Sequence, residues 1–342
     1  MKRIMVFILC LFTLSSCNLE NPADVNFEII FDNSGYGSSV NNIPNVNNIP
    51  NELPILFADG FEFVGWYLDA DYEEKAVENS KIVSNVTLYA KWNKLEFTEG
   101  LEYILSSDAL SYIVYAYNVG VKNVVIPNEY DGKPIKYIGE GAFMGDEVIE
   151  TVMIPSTVEK IDKYAFSNCK NLKYVSIGKS VNEISYYAFC NVPSLEKIIV
   201  DSNNLLLDSR NDCNAIIESN TNTLIVGCKN SIIPNNVTKI DKYAFYGAGE
   251  LNKIVIPESV THIGECAFHS CKKLSQVIVL SSLLNIDDFA FTACESLQTI
   301  YNNSELIFAK GDTRYGGIGA YATNIYNKGE WSYVDSVATS NR

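Results

Sequence analysis

Histidine is nearly missing from this chain: there are two among 342 residues, alongside three tryptophans and four methionines. A Ser-His-Asp or Cys-His nucleophile would need one of those two imidazoles. Runs of Lys and Arg are missing too, and the formal net charge is −15. Phosphate backbones are held by clustered cations, so nucleic acid is excluded as a partner. No apolar run reaches the roughly 20 residues that span a bilayer as a helix. What is abundant is apolar and aromatic: 47% hydrophobic residues, 21 tyrosines and 16 phenylalanines. That is enough for two domains with a well-buried core and an acidic surface.

The N-terminus, MKRIMVFILCLFTLSSC, has Lys2 and Arg3 followed by an apolar run of about eleven residues. This is the pattern of an export signal. Leu14-Ser15-Ser16-Cys17 resembles a bacterial lipobox. The resemblance implies a signal peptide over 1–16, cleavage before Cys17, and diacylglycerol on its thiol, with 17–24 as a lipidated linker. Several acyl chains anchor a protein firmly where a single one does not. Asn18 rather than aspartate follows the cysteine, which leaves outer-face sorting open. Without Lys2 and Arg3 the chain keeps 24 basic and 41 acidic residues, a net charge of −17.

Of nine cysteines, seven remain once Cys10 is removed and Cys17 lipidated. An odd number in an exported chain argues against a complete disulfide framework. The stretch IGECAFHSCKKL (263–274) has the look of a metal site, because Cys266, His269 and Cys271 are zinc-type ligands. Its periodicity excludes that. Ala-Phe recurs at 142–143, 165–166, 188–189, 244–245, 267–268 and 290–291, with spacings of 23, 23, 56, 23 and 23. In that alignment Cys271 shares a column with Asp146, Cys169, Val192, Ala248 and Cys294, a small and mostly apolar set. Cys266 aligns with Tyr164, Tyr187, Tyr243 and Phe289. His269 aligns with Ser167, Cys190, Tyr246 and Thr292. A ligand set does not become tyrosine and serine one repeat away, so no metal and no cofactor is expected. His262 aligns with Lys160, Glu183, Lys239 and Asn285, a solvent-facing column.

Repeats of this length stack into solenoids, because one repeat cannot bury its apolar face alone. The recurring Ile-Pro pairs (126–127, 154–155, 233–234, 256–257) and the Ala-Phe pairs resemble the BspA-type leucine-rich repeat. The resemblance implies a mainly β, right-handed leucine-rich-repeat solenoid with a 23-residue period. Each coil should hold one short strand (as in 253–256), a second extended segment (260–263) and a tight helical turn at Ala-Phe. Proline just after the strand ends pairing. Repeats are expected over 125–300, an N-terminal cap over 97–124, and a C-terminal cap and tail over 301–342. A longer unit at 197–236 should carry strand segments at Ala215–Glu218 and Thr223–Val226. Cys213 and Cys228 flank it, either as a disulfide or as buried free thiols.

Residues 25–93 have another texture. Phe63-Val64-Gly65-Trp66-Tyr67 and Leu88-Tyr89-Ala90-Lys91-Trp92 resemble the Listeria–Bacteroides repeat, the internalin B-repeat type. That implies a small β-grasp-like module in front of the solenoid. Trp66 and Trp92 serve either as its core or as exposed binding aromatics. Asp69, Asp71, Glu73 and Glu74 crowd one loop and form either a calcium site or a solvated acidic turn. Gly317 to Ala322 matches a loose G-x-G-x-x-A but lacks the βαβ context of a dinucleotide site.

No constellation argues for an enzyme. Solenoids present long regular surfaces, and binding is their common use. The residues expected to point outward from the strands are Thr151, Met153, Tyr174, Ser176, Lys253, Val255, Gln276 and Ile278. Met153, Val255 and Ile278 should expose an apolar strip beside Tyr174, the mark of an interaction face. The resemblance implies a lipid-anchored cell-surface protein, adhesin-like and non-catalytic, binding a protein or glycan on host matrix or other cells. The alternatives are an inward-facing envelope scaffold or an accessory glycan-binding lipoprotein.

Overall fold

The structure, a computed structural model, describes residues 27–37, 39–51, 53–116, 119–282, 284–334 and 337–340. The export signal and the lipid-bearing Cys17 lie outside the described residues. Among those residues there is no α-helix; the helical elements are two 3₁₀ turns, at Arg210–Asp212 and Tyr315–Gly317. No helix there is long and apolar enough to cross a membrane.

The front module is one mixed sheet of β1 (Phe27–Asp32), β2 (Ile43–Val46), β3 (Phe61–Tyr67) and β4 (Val86–Lys94), in the order β2-β1-β4-β3. Its central pair, β1 and β4, runs parallel, and the outer strands are antiparallel to them. Its core gathers Ile29, Ile49, Leu56, Trp66, Ile82, Leu88 and Ala90. Trp66 is buried there, and its indole N–H donates to the Pro54 carbonyl at 2.7 Å. Trp92 is half-buried against Phe63 and donates to the Asn33 carbonyl at 3.0 Å. A seventy-residue-scale module has few other large anchors, so both rings pack inward.

The solenoid begins with the hairpin β5 (Glu102–Leu105) and β6 (Tyr112–Tyr115), then β7 (Asn123–Val125), β8 (Glu129–Tyr130) and β9 (Lys133–Ile138). Each following coil adds one four-residue and one two-residue strand. These are β10 (Thr151–Ile154) and β11 (Lys160–Ile161), then β12 (Tyr174–Ile177) and β13 (Glu183–Ile184), then β14 (Lys197–Val200). The longer unit inserts β15 (Leu207–Asp208), β16 (Ala215–Glu218) and β17 (Thr223–Gly227), paired as antiparallel neighbours. Regular coils then resume with β18 (Lys239–Ile240), β19 (Lys253–Ile256), β20 (His262–Ile263), β21 (Gln276–Val279), β22 (Asn285–Ile286) and β23 (Thr299–Asn302). The C-terminal end carries β24 (Asn324–Tyr326) and the hairpin β25 (Trp331–Val334) with β26 (Val337–Ser340).

Successive coils pair parallel and in register, so Thr151 meets Tyr174 and Tyr174 meets Lys197. The long-strand sheet therefore has two blocks, β14-β12-β10-β7 and β19-β21-β23-β24, interrupted at the longer unit. The short strands stack in two further sheets, β13-β11-β9-β6-β5 and β15-β16-β17-β18-β20-β22, also divided at the longer unit. Second and fourth residues of each long strand point inward: Val152, Ile154, Val175, Ile177, Ile254, Ile256, Val277 and Val279 are all buried. β-branched residues suit such pleated, crowded positions.

At the Ala-Phe corner the chain makes a run of tight turns, not the helical turn expected. Residues on both sides of each pair take left-handed φ: Tyr164 and Asn168, Tyr187 and Asn191, Cys266 and Ser270, Phe289 and Ala293. The first such corner uses Gly141 and Gly145, where that conformation costs least. Elsewhere it costs roughly 1–2 kcal/mol per residue. The inter-coil bonds at the corner offset this: Phe143 N–H donates to the Ala165 carbonyl at 2.7 Å, and Phe268 to Ala290 at 2.7 Å. The phenyl rings stack along the axis, Phe143–Phe166 at 5.0 Å, Phe166–Phe189 at 5.1 Å, Phe245–Phe268 at 4.8 Å and Phe268–Phe291 at 4.9 Å. In the longer unit Gly227 takes the place below Phe245; a Cβ there would lie 2.1 Å from the ring.

Phe268 is fully buried between two rings. Phe268→Ala should cost about 3–5 kcal/mol, read as a lowered urea midpoint in a chemical melt. An unchanged midpoint would contradict the ring stack.

Candidate binding face

Eight outward-pointing residues form the face expected from the sequence. The long-strand sheet presents two outward rows in each block. In the first block they are Thr151-Tyr174-Lys197 and Met153-Ser176-Ile199; in the second they include Lys253-Gln276-Thr299 and Val255-Ile278-Tyr301. The register thus brings the predicted residues together within each block, but the longer unit separates the two groups.

Exposure differs from expectation at three of them. Met153 is 8% exposed, Ser176 1% and Ile278 0%. Over the first block the cause is the front module. Phe57 and Leu95 pack with Val125 and Met153 in one apolar cluster. The contact is pinned by Asp59, whose Oδ1 accepts from Ser156 N–H at 2.9 Å and from Ser156 Oγ–H at 3.1 Å. Ser176 lies in register between Met153 and Ile199, under the same cover. In the second block Ile278 sits between Val255 and Tyr301, and Tyr301 is stacked on Tyr326 at 5.0 Å and tilted against Trp331 at 5.3 Å. The Trp331 indole donates to the Asn302 carbonyl at 3.1 Å.

Thr151, Tyr174, Val255 and Gln276 are half-buried, and Lys253 is exposed. Thr151 Oγ donates to Asn123 Oδ1 at 3.0 Å. Burial pushes the Tyr174 phenol up to about 12, with the Ser176 hydroxyl acting the other way and the Glu62 carboxylate adding a little. A further residue aligns with this row in the sequence repeat. Ile232 precedes Ile233-Pro234 as Val255 precedes Ile256-Pro257, and it is 71% exposed. The Ile-Pro repeat held that signal; the insertion around it obscured the column.

The cysteines have a shared structural use. Cys169, Cys271 and Cys294 each donate S–H to the phenylalanine carbonyl of the preceding coil: Phe143 at 3.0 Å, Phe245 at 3.2 Å and Phe268 at 3.1 Å. Burial holds the Cys169 thiol at about 12 and Cys271 well above its ordinary value, the reverse of a reactive cysteine. Asp146, in the same column, instead accepts from the Val148 and Ile149 amides at 2.7 and 3.0 Å. Cys213 and Cys228 are free thiols buried in different apolar clusters. His269 stacks on Tyr246 at 4.8 Å, and burial lowers its pKa. His262 lies 2.9 Å from Asp287 and 3.1 Å from Asn285. In the acidic loop Asp69 accepts from the Glu73 and Glu74 amides at 3.0 and 2.7 Å, which lowers its pKa. Among the described residues no three His, Cys, Asp or Glu side chains gather as a metal site.

Comparison with known proteins fits this architecture. The model of the BspA type leucine-rich repeat region matches in six copies over residues 136–210 and 215–312, just over half of the chain. The chain therefore belongs to the BspA-type leucine-rich repeat proteins. The model of the Listeria-Bacteroides repeat domain matches 27–91. No curated protein matches. Among solved structures, a Treponema (T. pallidum) leucine-rich repeat protein is 24% identical, TM-score 0.39, over 65% of this chain and 91% of that one. A leucine-rich cell surface protein of Faecalibacterium prausnitzii is 19% identical, TM-score 0.34, over 69% and 96%. The pneumococcal vaccine antigen PcpA is 18% identical, TM-score 0.30, over 71% and 81%.

The Asp59 latch sets a pH dependence. Desolvation raises its pKa above the ordinary 3.8, opposed by the bonds from Ser156. A carboxyl raised in the docked state opposes docking once ionised, so the penalty is absent below the ordinary value and complete above the raised one. Asp59→Asn keeps an acceptor for Ser156 and removes the charge. Its melting temperature should exceed the parent's at pH 7 and converge with it below pH ~3.8. A variant less stable at pH 7 would contradict a desolvated latch.

Proposed function

We propose that this is a lipid-anchored bacterial cell-surface protein that binds a macromolecule, protein or glycan, without catalysis. The observation that carries the reading is the open stretch of the long-strand sheet beyond the front module. There Lys253 is exposed and Val255 and Gln276 half-buried, and Ile232, one Ile-Pro repeat before Val255 in the sequence, stands 71% exposed. An exposed apolar residue rimmed by polar ones is the composition of an interaction face. Thr151, Met153, Tyr174 and Ser176 enter the same reading as a face that the front module occupies; they contact a partner only when that module moves. Membership of the BspA-type repeat family supports an adhesin-like role. The lipobox-like Leu14-Ser15-Ser16-Cys17 supports attachment through Cys17. The cysteine thiols raised by burial support a structural use for the residues that first suggested chemistry.

Protease shaving of intact cells with immunodetection of the solenoid tests the display. Digestion on whole cells is expected; protection until lysis would favour an inward-facing envelope scaffold. With a partner pulled from matrix or cell-surface extracts, Ile232→Asp should weaken binding by roughly tenfold or more while leaving the melt unchanged. Parent-like binding by that variant would remove the face from consideration.

A further inference from the structure

The front module and the long-strand sheet do not close fully on one another. Beside the contact of Phe57 with Val125 and Met153 lies a cavity of about 340 Å³. Its sheet wall is Met153, Tyr174, Lys197 and Ile199; its module wall includes Phe57, Phe63 and Glu62. Sites for small ligands begin at about 300 Å³ and favour the seams between domains.

One charged group on the sheet side is without a partner. The Lys197 ammonium makes no ion pair or hydrogen bond among the described residues, whereas the ammonium groups of Lys160, Lys173 and Lys239 each hold a carboxylate. Glu62 lines the module wall of the same cavity, where it accepts from Asn93 Nδ2 at 3.2 Å.

We propose that this cavity is a binding site for a compact apolar molecule with a carboxylate head. The apolar body lies between Phe57, Phe63, Met153 and Ile199. The carboxylate is held by Lys197, with Tyr174 as a further polar side chain of the same wall. Glu62 sets the polarity, repelling a carboxylate from the module wall and turning it to the sheet. The site is separate from the open stretch around Ile232 and Lys253 on which the macromolecule-binding reading rests, and stands or falls independently of it. The same chemistry is offered by a free apolar acid and by a peptide ending in an apolar residue.

Calorimetric titration of the full chain with sodium octanoate, octylamine, octanol and a short peptide ending in leucine, free or amidated, tests this. Octanoate or the free-acid peptide should bind at one site, with the matched amine, alcohol or amide weaker by roughly tenfold or more, as for loss of a charge-assisted bond. The tighter of the two acids identifies the source. Lys197→Met should lose the same factor without a change in melting temperature, and Met153→Trp should fill the cavity and abolish binding. Absence of binding by both acids, equal binding of octanoate and octanol, or parent affinity in Lys197→Met would each overturn the site.

Discussion

Every coil of this solenoid leaves peptide N–H and C=O groups pointing along the axis, and only the next coil, in register, satisfies them. The four-residue strands do this on one side and the two-residue strands on another. At the corner the phenylalanine N–H reaches the alanine carbonyl one coil on. The period must therefore hold at 23 residues, because a slip would break three ladders and misplace the ring stack together. Ala, Phe, Ile and Leu recur because a uniform coil has one shape of interior to fill.

That constraint explains the cysteines. The column beside the corner has room for a small side chain and faces a phenylalanine carbonyl. A thiol fills the space and donates weakly to the carbonyl, which Val192 and Ala248 cannot do. The reactivity suggested by Cys266, His269 and Cys271 in sequence is absent in structure for a simple reason. Cys271 points into the core, Cys266 stands in the aromatic outer column, and His269 lies flat on Tyr246. Neighbours in sequence here face different ways.

The front module changes what the solenoid offers. A free leucine-rich stack would present its outward rows along their whole length. Here Phe57, Leu95 and the Asp59 latch cover the first block, so Met153 and Ser176 become interface residues and the open surface shifts to the second block. The incomplete fit leaves an apolar chamber with an unpaired lysine on one wall. One contact thus hides one surface and creates another.

Much of this was legible in the chain itself. Ala-Phe and Ile-Pro spacing located the coils, the cysteine columns and the insertion, and the strands at Ala215–Glu218 and around Thr223 lie where polar turns bracket apolar runs. Exposure was not legible for Met153, Ser176 and Ile278. Alternation within a strand says which side a residue takes, since the pleat is local. Whether that side meets water depends on Phe57, nearly a hundred positions away from Met153, and on Trp331, which meets the row of Ile278 from the C-terminal end. Repetition and pleat are short-range properties, and the sequence determined them alone. Coverage is set by contacts between distant segments, and only the tertiary structure decided it.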